Sequence, residues 1–129
     1  MEIPNDLLYT AEHEWARLKD NRATIGITDF AQGQLGDVVF VELPAEGTEV
    51  TKENTFGVVE SVKTVSDIYA PVSGKVVAVN KNLESQPELV NSDPYGKGWM
   101  IEIELSNSDP ASQNLLDSNQ YSDQCSNQE

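Results

Sequence analysis

Through the middle of the chain, apolar and polar residues alternate with a period of two, and that pattern commits the chain to β-structure. Residues 22–27 put Ala23, Ile25 and Ile27 on one face, because side chains two apart along a strand point the same way. Val39, Val41 and Leu43 repeat the pattern. So do Trp99, Ile101, Ile103 and Leu105, with Glu102 and Glu104 turned to water. Further strands are expected over residues 56–62, 65–69 and 74–79, with turn residues between them at 44–47, 73–74, 80–87 and 93–96. Many short strands with frequent turns predict a mostly β sandwich or flattened barrel.

Two short helices interrupt the strands. Thr28 is placed to cap one over residues 29–35, with Gly36 as its left-handed stop. Asp109-Pro110, a capping residue followed by proline, starts a second that ends near Asp117. Tyr121 and Cys125, four apart, can form the apolar side of a last turn. From Ser106 onward 14 of 24 residues are Ser, Asn or Gln, so the tail is expected to be a thin helix on the sheet or partly disordered. The whole of 1–129 reads as a single domain, with its core over about 22–105 and a helical tail over about 109–129.

A chain of 129 residues buries roughly 65% of its unfolded surface, so one core suffices without disulfides or a structural metal. Eight Lys plus Arg against 22 Asp plus Glu leave a net charge of −14, which repels phosphate backbones and anionic membranes and argues against nucleic acid as a partner. No apolar run reaches the roughly 20 residues of a spanning helix, and the start, MEIPNDLLYT, lacks a signal peptide's basic flank and apolar stretch. A soluble, intracellular, acidic protein is expected. Cys125 is the only cysteine and His13 the only histidine, which excludes an internal disulfide and the common zinc and iron ligand sets. No calcium loop, dinucleotide or phosphate-binding glycine motif, or nucleophile elbow is present. Most routes to catalysis are closed.

One stretch carries chemistry, residues 57–68 (GVVESVKTVSDI). Two β-branched runs flank Lys63, with Ser61 two residues before it and Thr64 directly after. A tight turn here lifts the lysine clear of the sheet. An amine that another enzyme must acylate needs such a site: rigidly placed, in solvent, without bulky neighbours. Composition and spacing alone fit equally an ordinary lysine solvating a hairpin tip. Gly47, in the turn before residues 49–50, and Gly74 lie on either side of Lys63, a weak internal echo of two β units meeting at its hairpin.

The stretch VVESVKTVSDIYAPVSGKV resembles the attachment hairpin of the glycine cleavage system H protein family. YTAEHEW at 9–15, ATIGITDFAQGQLGDVVFVELPAEGTEV at 23–50 and ELVNSDPYGKGWMIEIEL at 88–105 match its other signatures in order, so the resemblance covers essentially the whole chain. It implies a hybrid barrel-sandwich of the lipoyl/biotinyl type, with short helices near the N-terminal third and at the C-terminus. It also implies lipoate joined by an amide bond to Lys63. The lipoyl arm then supplies the two sulfurs this chain lacks and carries the aminomethyl group of glycine. The partners implied are glycine decarboxylase (P protein), aminomethyltransferase (T protein) and dihydrolipoyl dehydrogenase (L protein), with a lipoate ligase or lipoyltransferase to load the lysine. Such a protein is a carrier and not an enzyme, usually monomeric, in a bacterial cytoplasm or, in mature form, a mitochondrial matrix.

The resemblance also assigns residues. Glu14 and Asp67 match the family's arm-binding cavity; Glu12 is a third candidate, where the family often has a small polar residue. Glu60 and Gly47 are candidates for recognition by the ligase. His13 is expected to pack or hydrogen-bond near the first strand, and Trp15 and Trp99 to anchor core or rim. Biotin carriers usually place Met on both sides of the lysine, and lipoyl domains of the dehydrogenase complexes commonly read DKA; Val62 and Thr64 fit neither. Two other readings are a carrier that relays lipoate to other apoproteins and an unmodified acidic module that binds basic partners.

Overall fold

The alternating segments become antiparallel strands of two sheets in a computed structural model that describes residues 2–105 and 115–128. In chain order the elements are β1 (Leu8–Tyr9), β2 (Glu14–Lys19), β3 (Arg22–Ile27), α1 (Asp29–Leu35), β4 (Val38–Glu42), β5 (Glu49–Val50), β6 (Thr55–Ser61) and β7 (Val65–Tyr69). Then follow β8 (Gly74–Val79), α2 (Asn82–Ser85), α3 (Leu89–Ser92), β9 (Ile101–Leu105) and α4 (Ser118–Gln128). One sheet runs β1-β2-β3-β9-β8-β5 and the other β4-β6-β7, a mostly β barrel-sandwich. Glu49 pairs with Lys75 and Val50 with Gly74, so the two echoing segments pair with each other across the base of the β6–β7 hairpin.

The sandwich interior holds the alternating faces: Ala23 and Ile25 of β3, Val59 of β6, Ile68 of β7, Val76 of β8, and Ile101 and Ile103 of β9 are all buried. Burial of this apolar surface is the main favourable term for such a fold. A second, aromatic cluster closes one end, where Tyr9 stacks on Tyr121 at 4.6 Å with Leu7, Trp15 and Cys125 in the same group. This cluster joins Leu7, Tyr9 and Trp15 to Phe30 and Tyr95 and to Tyr121 and Cys125, and so ties the chain's beginning to its end. Thr28 caps α1 by accepting from the Ala31 N–H, and Gly36 ends it at φ 80°, as the cap residues predict.

Several expectations are corrected. In β4 the buried residues are Val38 and Val41, while Val39 is exposed, because a bulge between Val38 and Phe40 shifts the register against β6. The last strand begins at Ile101, and Met100, not Trp99, is fully buried ahead of it; Trp99 packs beside the aromatic cluster. Residues 80–87 contain α2, and α3 follows it; four-residue helices are too short for periodicity to reveal. The start of the helix expected from Asp109 lies outside the described residues. At its expected end the chain is extended, with Leu116 bridging to Tyr9 through bonds of 2.7 and 2.8 Å. Tyr121 and Cys125 do form the buried side of a helix, α4.

Gly26 lies directly under the Trp15 ring, and a β-carbon there would sit 2.8 Å from three of its atoms. The ring is held in place, fully buried, with its Nε1 donating to the Pro94 carbonyl at 3.0 Å. Gly26→Ala should therefore destabilise the fold by about 1–3 kcal/mol through overpacking. Equilibrium urea unfolding checks this, and an unchanged midpoint would contradict it.

Candidate functional site

The β6–β7 hairpin turns through Val62, Lys63 and Thr64. The Ser61 N–H donates to the Thr64 carbonyl at 2.8 Å, and the Ser61 hydroxyl accepts from the Thr64 N–H at 3.1 Å and the Lys63 N–H at 3.3 Å. Ser61 is buried, the last inward residue of β6, so its short polar side chain satisfies the turn's backbone donors from inside the sheet. The Val62 N–H donates to the Asp37 carbonyl at 3.0 Å, fastening the tip to the segment that follows α1. Lys63 itself is exposed. Its Cε passes over Gly36, 3.6 Å from where a β-carbon would stand.

Beside the tip runs a groove of about 420 Å³ between α1 and the edge strand β7. Phe30, Ala31, Gln34 and Leu35 form the α1 wall; Thr64, Ser66, Asp67 and Ile68 form the other, with Glu12, His13 and Glu14 along it. The three groove candidates named from sequence, Glu12, Glu14 and Asp67, thus border one cavity with the residue adjoining Lys63. Their environments differ. Glu12 and Asp67 are exposed, whereas Glu14 is 2% exposed. Its Oε1 accepts from the Thr10 hydroxyl at 2.5 Å and its Oε2 from the Tyr69 N–H at 3.2 Å. Burial pushes the Glu14 carboxyl up to about 7, with the Glu12 charge adding to the rise and the two hydrogen bonds opposing it.

Glu60 and Gly47 lie outside the groove. Glu60 is half-buried on β6, opposite Phe40 on β4 and Val65 on β7. Gly47 is exposed at φ 91°, with its N–H on the Val76 carbonyl at 2.7 Å. His13 has a left-handed backbone (φ 72°), stacks on Phe30 at 4.6 Å and bonds the Tyr121 hydroxyl at 2.7 Å. Among the described residues no group of three or more His, Cys, Asp or Glu is arranged to hold a metal ion. Sequence reasoning missed Thr10 and Tyr69, the partners of Glu14, and the whole α1 wall. The latter was signalled by spacing, since residues 30, 31, 34 and 35 share one helical face.

An antiparallel barrel-sandwich that holds one lysine out at a hairpin tip, beside an acid-bordered groove, defines the class of small carrier domains. The family model for the glycine cleavage H-protein matches residues 7–128. Among similar proteins, the glycine cleavage system H protein of Symbiobacterium thermophilum is 62% identical over 120 residues, covering 92% of each chain. That of Salinibacter ruber is 54% identical over 123 residues, 95% of this chain and 98% of the relative. The crystal structure of a glycine cleavage system H protein from Mycobacterium marinum superposes with a TM-score of 0.88 at 39% identity, covering 96% of this chain and 99% of that one. The chain belongs to the glycine cleavage H-protein family, whose members are carrier components of a multienzyme system and not enzymes.

An acid whose folded pKa lies above its unfolded value adds stability below the unfolded value and loses it as pH rises through the folded one. For Glu14 that window runs from 4.5 to about 7. Glu14→Gln can keep both bonds, accepting from Tyr69 and donating to Thr10, without ever ionising. The melting temperature of the variant relative to the native protein should therefore climb between about pH 5 and about pH 8. Thermal melts across that range check it; a constant difference would oppose it.

Proposed function

We propose that this chain is the lipoyl carrier of a glycine cleavage system, with lipoate in amide linkage to Lys63. The observation that carries the reading is the exposed lysine on a turn wired by Ser61, next to a groove whose walls suit both parts of a lipoyl arm and its cargo. Ile27, Phe30, Leu35 and Ile68 offer apolar contact to a hydrocarbon arm, and the carboxylates border the same cavity. Lipoate, when bound, supplies the reversible dithiol that one cysteine cannot, and with it a sulfur to carry the aminomethyl group of glycine.

The chain's own residues then act as holder and shield. The turn keeps the Lys63 backbone fixed while its side chain ranges through solvent, so the cargo is presented at high local concentration to successive enzymes. Those enzymes are glycine decarboxylase, which loads the aminomethyl group, aminomethyltransferase, which takes it off, and dihydrolipoyl dehydrogenase, which reoxidises the dithiol. A lipoate ligase or lipoyltransferase makes the initial attachment, for which Glu60 and Gly47 are the recognition candidates. Between visits the groove excludes water from a hydrolysable cargo. A cationic amine in it draws Glu14 toward its carboxylate form, and by linkage the groove holds a cation more tightly as Glu14 ionises. Asp67 and Glu12 add negative charge at the mouth.

No helix among the described residues is long and apolar enough to cross a membrane, and the bacterial relatives support a bacterial cytoplasm as the setting. Two measurements test the reading. Lys63→Arg should leave the melting temperature unchanged, since a tip side chain packs little, and should abolish the mass gain seen on incubation with lipoate, ATP and a lipoate ligase; a mass gain that persists would move the attachment elsewhere. Asp67→Asn in the loaded carrier should shorten the half-life of the aminomethyl cargo about two- to tenfold, as expected for losing a partly solvated charge contact. An unaltered half-life would remove Asp67 from the groove's function.

A further inference from the structure

Val39, Phe40, Val62 and Val65 are the large apolar residues left exposed among those described, each at least half in solvent. Apolar residues scattered singly over a surface are ordinary; these four are gathered. All lie in the β4–β6–β7 sheet or at its hairpin tip. Strand register makes the grouping explicit. Phe40, Glu60 and Val65 stand opposite one another across the three strands, and in the next row so do Glu42, Val58 and Asp67. Residues paired in this way share a face, and the neighbours between the rows, Val41 and Val59, are buried. The outer face is therefore a checkerboard of three apolar and three acidic side chains with no basic residue in either row. The β4 bulge adds Val39, and the turn adds Val62. A solvated sheet face is normally polar throughout; a clustered apolar patch rimmed by charge marks a contact surface.

We propose that this face docks the enzyme that acylates Lys63, which would offer an apolar pocket to Phe40 and Val65 and cationic side chains to Glu42, Glu60 and Asp67. The inference rests on the reading of Lys63 as the attachment site. The occupant follows from reach. Enzymes that act on the finished carrier meet its cargo at the end of a long arm and can work without covering the hairpin. The acylating enzyme has only one lysine side chain to reach across, so the tip must enter its active site and the adjoining sheet face must be covered. There the amide forms between Nζ and the carboxyl carbon of an acyl-adenylate. The carbon–oxygen bond to AMP breaks, AMP leaves with the electron pair, and the amine gives up its proton to water. Charge favours the same match, because a chain of net charge −14 with an all-acidic rim on this face attracts a basic surface and repels an acidic one.

The test uses the unmodified full chain with a purified lipoate ligase, lipoate and ATP, following intact mass over a series of carrier concentrations. Phe40→Ser and Val65→Thr should each raise KM for the carrier about tenfold, the usual loss for an anchor side chain, with kcat within about twofold and melting temperatures unchanged. Glu60→Gln should raise KM less and flatten its dependence on salt. Glu102→Gln, on the other sheet in a surface pair with Arg22, should leave KM as it is. Unchanged KM in both apolar variants would overturn the docking face, and an equal rise in Glu102→Gln would overturn it in favour of a general charge effect. If Lys63 of the native chain gains no mass at all, the attachment reading fails, and this inference with it.

Discussion

The tip of the β6–β7 hairpin is organised by one hydroxyl. Ser61 is the last inward-facing residue of β6, and the turn it closes has no other side chain placed to take the N–H groups of Lys63 and Thr64. Lys63 and Thr64 are exposed, so water can take these donors when the hydroxyl is absent, and each bond contributes about 0.5–1.5 kcal/mol toward fixing the turn. With them satisfied from within the sheet, the Lys63 backbone inherits the sheet's rigidity while its side chain keeps its freedom. The Val62–Asp37 bond then couples the tip to the end of α1. The helix that forms one wall of the groove and the strand that forms the other are thereby held in one frame.

The parts of this fold that were legible in the sequence are those where one periodicity governs several residues. β3, β7 and β8 lie where the alternation puts them, and α1 starts and stops at Thr28 and Gly36. What escaped is local departure from period. The β4 bulge inserts a residue and turns Val39 outward without altering the alternation that a reader sees. β2 buries Glu14, Trp15 and Ala16 in succession, so it lacks the alternation of a half-exposed strand. The lysine was legible because small neighbours and β-branched flanks define a hairpin tip. The condition of Glu14 was not, because its burial depends on Thr10 and Tyr69, and Tyr69 lies 55 residues away in the chain.

Glu14 also explains why three acids around a groove are not three equivalent charges. Two of them stay in contact with water and set a diffuse negative potential at the mouth. The third lies beneath the surface with two donors, ionising near neutrality, where its charge responds to what occupies the cavity. Aromatic packing fixes its surroundings. His13, one residue before it, is held between Phe30 of α1 and Tyr121 of α4, and the Tyr121 hydroxyl also reaches Thr28, the cap of α1, at 2.6 Å. A single phenol thus ties the C-terminal helix, the helix wall and the loop that bears Glu12 and His13. Through that tie an element at the C-terminus braces a groove whose other wall lies some fifty residues earlier in the chain.

β7 borders two environments. Val65 and Asp67 belong to the outer rows of the three-stranded sheet, and on this edge strand they also line the groove together with Ser66 and Ile68. The outer face of the sheet and the groove therefore meet along this one strand. Charge is distributed unevenly about it. Arg17, Lys19 and Arg22, three of the chain's eight basic residues, gather on the far sheet, where Asp20, Glu102 and Glu104 stand among them. Among the described residues the acids around the hairpin have no comparable set of cations beside them, so the negative potential is least compensated at the lysine end.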